Sequence, residues 1–222
     1  MSQLAASGCR VAAISRRKER LDELAARHPG NVLTFVHDVH DYGAVPELFQ
    51  DVTGQLGGLD LFIYAAGVMP DIAPREYSFE KDREILEVNL VGAMAWLDQA
   101  AHRFDQVGHG SLVAIGSRAG ERGIGKMPAY CASKAAIATY MESLRNRLAR
   151  RGVKVVTVKP GPIDTPMIAN LHLNRAMPVQ TAARIVLRKS RSTGEHFLKA
   201  SDRVMCWVVK RIPSALFRRM KS

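Results

Sequence analysis

No stretch of this 222-residue sequence approaches the roughly 20 consecutive apolar residues that cross a bilayer, and the opening, Met1 to Gly8, has neither the basic start nor the apolar run of a secretory signal. Membrane-spanning and secreted classes are set aside, and the cytoplasm is the expected compartment. Cys9, Cys131 and Cys206 are scattered, odd in number and without a CxxC pair, which argues against structural zinc and against a disulfide framework. His28, His37 and His40 lack metal-ligand spacing, so no metal is expected. There is no internal repeat, no low-complexity linker, and no RNP, zinc-finger or basic-zipper pattern. What is present is the mix of a globular chain, 47% hydrophobic and 24% charged, which excludes disordered and fibrous classes.

The formal net charge of +11 is unevenly placed. Residues 1–180 are nearly balanced at +2, whereas residues 181–222 carry +9. Basicity is thus a property of the C-terminal part, suited to nucleic acid, an acidic membrane surface or an acidic partner. Without a recognition motif, specific nucleic-acid binding is not expected. Met205, Val208, Val209 and Ile212 follow helical spacing beside Arg203, Lys210 and Arg211 until Pro213 interrupts. The sequence predicts one domain over residues 1–199 and a basic amphipathic extension over 200–222. That extension suits peripheral membrane or partner contact, or else a helix covering a substrate cleft or a subunit interface.

Short β-branched runs alternate with longer helical patterns, the signature of a parallel sheet with helices on both faces, a Rossmann-like doubly wound α/β fold. Strands are predicted at Arg10 to Ser15, Asn31 to Val39, Leu59 to Gly67, Ser111 to Ser117, Val153 to Pro160 and Glu195 to Lys199. Helices are predicted at Arg17 to His28, Asp41 to Leu56, Glu80 to Gln106, Pro128 to Arg151 and Val179 to Ser192. In such sheets ligands bind beyond the carboxyl ends of the strands. There stand Ser15-Arg16-Arg17, His37-Asp38-Val39, Ala65-Ala66-Gly67, Gly116-Ser117-Arg118 and Pro160-Gly161-Pro162-Ile163-Asp164-Thr165. Each alone is a tight turn; five in one register line a cleft with small and polar groups.

Tyr130 and Lys134, four residues apart, are neighbours on one helix face. A cation beside a phenol favours phenolate, which predicts a Tyr130 pKa lowered from near ~10 toward a usable acid/base. Ser117 ends the preceding strand, where its hydroxyl could hold a substrate oxygen against Tyr130. The four-residue spacing by itself also fits a chance surface pair; the strand order and Ser117 decide against that.

These segments resemble the short-chain dehydrogenase/reductase family from Leu4 to about Lys199. The resemblance rests on Ala65-Ala66-Gly67, on Asn89 in Val88-Asn89-Leu90-Val91-Gly92, on Ser117, on Tyr130-x-x-x-Lys134 and on Pro160 to Thr165. It implies NAD(P)-dependent hydride transfer between a nicotinamide and a carbonyl or secondary alcohol, carried out by a homo-oligomer. By the same resemblance Tyr130 is the general acid/base, Lys134 binds the nicotinamide ribose, Ser117 positions the substrate, and Asn89 keeps a water-linked proton relay. Asp38 and Val39 correspond to the pair flanking the adenine, Ala66 and Gly67 pass the adenosine ribose, and Pro160, Gly161, Ile163 and Thr165 lie at the nicotinamide half. Ser15-Arg16-Arg17 offers two guanidiniums and no carboxylate, so NADP is expected over NAD unless the arginines merely start a solvated helix. A non-catalytic dinucleotide-binding or scaffold protein on the same fold is the alternative.

The chain departs from the family at its start. The first strand and the turn Thr-Gly-x-x-x-Gly-x-Gly, which receives the pyrophosphate, have no counterpart, because Leu4 to Val11 matches the end of the first helix and the start of the second strand. The expectation is a truncated chain that lacks the family's central strand and holds dinucleotide weakly. Tyr64-Ala65 stands where the family turn has two asparagines, and Asn170, His172 and Asn174 are polar candidates in the short segment over the substrate.

Overall fold

The structure, a computed structural model, describes residues 1–73, 75–171 and 176–220. All six predicted strands form: β1 (Val11–Ser15), β2 (Val32–Val36), β3 (Leu61–Tyr64), β4 (Ser111–Ile115), β5 (Lys154–Lys159) and β6 (Gly194–Phe197). Between and after them run α1 (Ser2–Ala6), α2 (Lys18–Arg27), α3 (Val45–Leu56), α4 (Phe79–Leu86), α5 (Gly92–Val107), α6 (Pro128–Arg147), α7 (Val179–Lys189), α8 (Ala200–Arg211) and α9 (Ser214–Phe217). A π-helical turn, Glu87–Val91, joins α4 to α5, and 3₁₀ turns lie at Arg118–Glu121 and Pro166–Leu171. The alternation and the parallel pairing are those of a Rossmann-like α/β fold.

The strands fall into two parallel sheets, β1-β2 and β3-β4-β5-β6, and the chain into two compact units, Met1–Asp60 and Leu61–Ser222. In the first unit β1 and β2 pair from Val11↔Val32 to Ser15↔Val36. Leu21 and Leu24, three apart on α2, close over Val11, Ala13, Val32 and Ala5. Arg10 ends α3 by donating to the Gln55 and Leu56 carbonyls at 2.8 and 3.2 Å, which satisfies acceptors the helix leaves open.

In the second unit β4 is flanked on both sides, and Leu112, Val113, Val155, Val156 and Val158 are fully buried. Such continuously apolar strands are what a sheet covered on both faces requires. The register Val113↔Val156 and Ile115↔Val158 puts these side chains on one face, with Leu61, Ile63, Ala182, Ile185 and Val186. Phe104, Leu97, Ile137 and Met141 from α5 and α6 are equally buried, each side chain contributing roughly 1.5–3 kcal/mol.

Several helices differ from their predicted extents: α3 begins at Val45 and not at Asp41, α6 stops at Arg147 and α7 at Lys189, while the predicted Glu80 to Gln106 helix runs through without a gap but widens at the π turn. The chain after α6 turns at Gly152, whose φ of 70° is the left-handed conformation that suits glycine, and enters β5. Among the described residues no helix is long and apolar enough to cross a membrane.

Candidate active site

β4 delivers Ser117. Gly116 donates its N–H to the Val158 carbonyl at 2.8 Å, and Ser117 then caps the Arg118–Glu121 turn by accepting the Ala119 N–H at 3.1 Å. That bond occupies a lone pair and leaves the hydroxyl proton to be donated, here toward the Tyr130 phenol. The turn closes tightly on α6, because a Cβ at Gly120 would lie 2.6 Å from the Lys134 carbonyl carbon and 2.7 Å from its oxygen. Glycine is what lets Ser117 and α6 converge.

On α6, which opens with Pro128 in its first turn, Tyr130 and Lys134 stand one turn apart. The Lys134 Nζ lies 5.7 Å from the Tyr130 ring centroid and donates to the Ile115 carbonyl at 3.0 Å. The side chain is almost wholly buried, and loss of hydration pulls its pKa from 10.5 down to about 8. Among the described residues the Ile115 carbonyl is its one hydrogen-bond partner, which leaves two N–H donors.

Tyr130 departs from the sequence expectation. Its pKa is raised from 10.0, not lowered, because burial disfavours the phenolate more than the Ser117 hydroxyl favours it. Lys134 does not reverse this balance, since its ammonium is itself desolvated and sits over the ring rather than at the hydroxyl. At neutral pH the phenol is a proton donor.

Asn89 sits in the π turn, the irregularity that often marks a functional helix. It clamps Val68 from both sides, its Oδ1 accepting the Val68 N–H at 2.7 Å and its Nδ2 donating to the Val68 carbonyl at 3.0 Å. Nδ2 also reaches Ser133 Oγ at 3.3 Å, and the Ser133 hydroxyl donates to the Tyr130 carbonyl at 2.8 Å. Gly67 lies directly beside this group, where a Cβ would come within 3.2 Å of Asn89 Oδ1 and 3.6 Å of Lys134 Nζ. Ala66 is exposed next to it. Tyr64, at the position of an asparagine in the family turn, donates its hydroxyl to the Val88 carbonyl at 2.8 Å and so ties β3 to the π turn. This contact and that of Ser133 were not legible beforehand; the one signal was a large residue in a turn of small ones.

After β5 the residues divide their roles. The buried Pro160 accepts the Arg118 N–H at 3.1 Å. Gly161 lies under an ion pair of Arg118 with Asp202, where a Cβ would come within 2.9 Å of Asp202 Oδ2. Ile163 packs its side chain against the core of Val113 and Val156, bridges to Met177, and its carbonyl accepts the Thr165 hydroxyl at 3.2 Å. His172 and Asn174 lie outside the described residues, as does the side chain of Asn170.

Arg16, Arg17, Asp38 and Val39 belong to the first unit. There Arg16 Nη1 lies 3.5 Å from Asp38 Oδ2, while Asp38 Oδ1 accepts the His40 N–H at 3.0 Å and lies 2.7 Å from His40 Nδ1. The His40 N–H and side chain, with Arg16, hold the Asp38 carboxyl below its usual range. Arg17 is exposed, its backbone N–H donating to Ser15 Oγ at 3.3 Å, and Val39 is half-buried. The Arg16–Asp38 contact is long and solvated, worth well under about 1 kcal/mol, so either arginine is free to turn to an anion.

A sequence profile described as short chain dehydrogenase matches residues 1–176. The chain belongs to the short-chain dehydrogenase family. An uncharacterised oxidoreductase of Mycobacterium tuberculosis is 35% identical to this family member over 171 residues, covering 74% of the chain and 68% of that protein. Carbonyl reductase family member 4 of Xenopus tropicalis is 33% identical over 169 residues, covering 76% and 71%. Among solved structures, the NADPH-dependent 3-quinuclidinone reductase of Rhodotorula rubra superposes with a TM-score of 0.74 at 27% identity, covering 87% of this short-chain dehydrogenase and 81% of that chain.

Proposed function

We propose that the chain is an NADP-preferring oxidoreductase that interconverts a carbonyl and a secondary alcohol, with Tyr130 as general acid/base. The observation that carries this reading is the convergence of Ser117, Tyr130 and Lys134, with the Ser117 hydroxyl on the phenol, the Lys134 Nζ 5.7 Å from its ring, and Asn89 tied to Tyr130 through Ser133. The residues present fit the nicotinamide half of a dinucleotide: Lys134 keeps two buried N–H donors for ribose hydroxyls, and Gly67 leaves the space a side chain would fill. NADP(H) would supply or accept the hydride. We assign no residue to the pyrophosphate.

The protein groups then have distinct tasks. Ser117 donates its hydroxyl proton to the substrate oxygen and sets that oxygen against Tyr130. In reduction the phenol gives its proton to the oxygen as the carbonyl carbon becomes a carbinol; in oxidation the same oxygen returns it. A phenol kept neutral by burial is suited to the first direction. Lys134 orients the cofactor, and Asn89 fixes the loop at Val68 and, through Ser133, the first turn of α6. The names of the relatives, a carbonyl reductase and an NADPH-dependent reductase, support the same class of substrate and cofactor.

The preference for NADP rests on Arg16 and Arg17. Replacing both with Ala is expected to weaken NADPH by about 1–3 kcal/mol, roughly 5- to 150-fold, and to leave NADH within about twofold, since one charge-assisted phosphate contact is lost. Calorimetric titration of both cofactors into wild type and variant measures this. An equal loss for NADH and NADPH would mean that the arginines only support the fold.

A further inference from the structure

α8 presents an apolar face to water. Its inner side is held by the second unit: Asp202 pairs with Arg118 at 3.0 Å, Cys206 is buried, and Lys210 pairs with Glu121 at 2.5 Å. Arg122 closes the end of the helix, donating to the Val209 and Ile212 carbonyls at 2.7 and 2.6 Å with its guanidinium 4.2 Å from the centroid of the Phe217 ring. The sequence predicts an apolar stripe of Met205, Val208, Val209 and Ile212, but the structure half-buries only Val209 and Ile212 and leaves Met205 and Val208 exposed. Opposite the docked side, Val204, Trp207 and Val208 are 62%, 57% and 46% exposed, and beyond Pro213 Leu216 and Met220 are 57% and 48% exposed.

This strip is rimmed by cations. Arg211 lies 3.8 Å from the centroid of the Trp207 ring, and Arg203, Arg218 and Arg219 have no acidic partner among the described residues. Residues 200–222 carry six Lys/Arg against the single Asp202, which is already paired.

We propose that α8 and α9 form a peripheral docking surface for a bilayer with anionic headgroups. The charge pattern selects this occupant over a second copy of the chain. A two-fold contact through the same face would set arginines against arginines, with the nearby acids Glu121 and Asp202 already engaged. Anionic headgroups supply the missing countercharge, the aliphatic strip enters the acyl boundary, and Trp207 sits at the depth where indole is favoured. A 12-residue helix, about 18 Å long, lies in the interface and does not span it.

The test is vesicle flotation of the 222-residue chain with phosphatidylcholine alone and mixed with phosphatidylserine, together with quenching of tryptophan emission by brominated acyl chains. Trp96 is buried at 3% exposure, so quenching reports Trp207. The expected result is partitioning onto anionic vesicles with quenched emission, at least tenfold weaker in Arg203→Gln/Arg218→Gln/Arg219→Gln at about fivefold per basic residue. Val204→Asp/Val208→Asp should abolish it with circular dichroism unchanged. Absence of partitioning, equal partitioning in the variants, or dissociation of an oligomer by the α8 substitutions in vesicle-free buffer would overturn the proposal.

Discussion

Tyr130→Phe should lower turnover by roughly 10²–10⁴-fold and leave NADPH affinity within about threefold, because it removes the phenol hydroxyl that carries the transferable proton and keeps the ring. The ring stays, and with it the packing against Lys134, whose Nζ lies over the ring face. Ser117 loses the phenol oxygen as a hydrogen-bond partner but keeps the Ala119 N–H, so only one hydrogen bond is given up. Stability should therefore move by less than about 1 kcal/mol. The wild-type pH profile follows from the two shifts. Burial raises the phenol above 10.0, so the proton donor persists through the alkaline range, whereas the Lys134 ammonium is lost near about 8. Reduction should accordingly show a KM for NADPH that climbs above pH 8 while kcat holds. Wild-type turnover in Tyr130→Phe, or a kcat falling with the KM rise, would remove the acid/base assignment.

Lys134→Met should cost cofactor binding and at the same time stabilise the protein at neutral pH. Below pH 8 the lysine is charged in both folded and unfolded chains, and burying that charge is unfavourable by on the order of 3 kcal/mol for a shift from 10.5 to about 8. The bond to Ile115 returns about 1 kcal/mol of this, so the expected net gain from Met is about 1–2 kcal/mol at pH 7. The sign fixes the pH dependence. From about pH 8 to 10.5 the unfolded chain binds a proton that the folded chain has released, so wild-type stability rises relative to the variant across that window, and the gain from Met fades. Urea unfolding of both proteins at pH 7 and pH 10 measures the difference. A difference independent of pH would show that the ammonium is hydrated in the folded protein.

The strands were legible because each is a β-branched run bounded by turn residues; a strand end pointed to Ser117, and the four-residue spacing on one helix face pointed to Tyr130 and Lys134. The π turn was not, since Glu80 to Gln106 keeps a helical period and one widened turn leaves the pattern of apolar residues almost intact. The direction of the Tyr130 shift was missed for a related reason. The spacing of Tyr130 and Lys134 reveals that a cation is near, but desolvation of the phenol depends on which other segments cover it, which spacing does not show. The face of α8 was misjudged by a fraction of a turn because the polar Asp202 points inward to Arg118.

Transfer of hydrogen from the cofactor to carbon tests the catalytic reading most directly. NADPH deuterated at C4 of the nicotinamide, incubated with the 222-residue chain and a panel of ketones and aldehydes, should yield alcohol with one deuterium on the carbinol carbon, seen by mass spectrometry, and Tyr130→Phe should yield essentially none. Equal deuterium incorporation by Tyr130→Phe, or binding of NADPH with no transfer to any carbonyl tried, would contradict it.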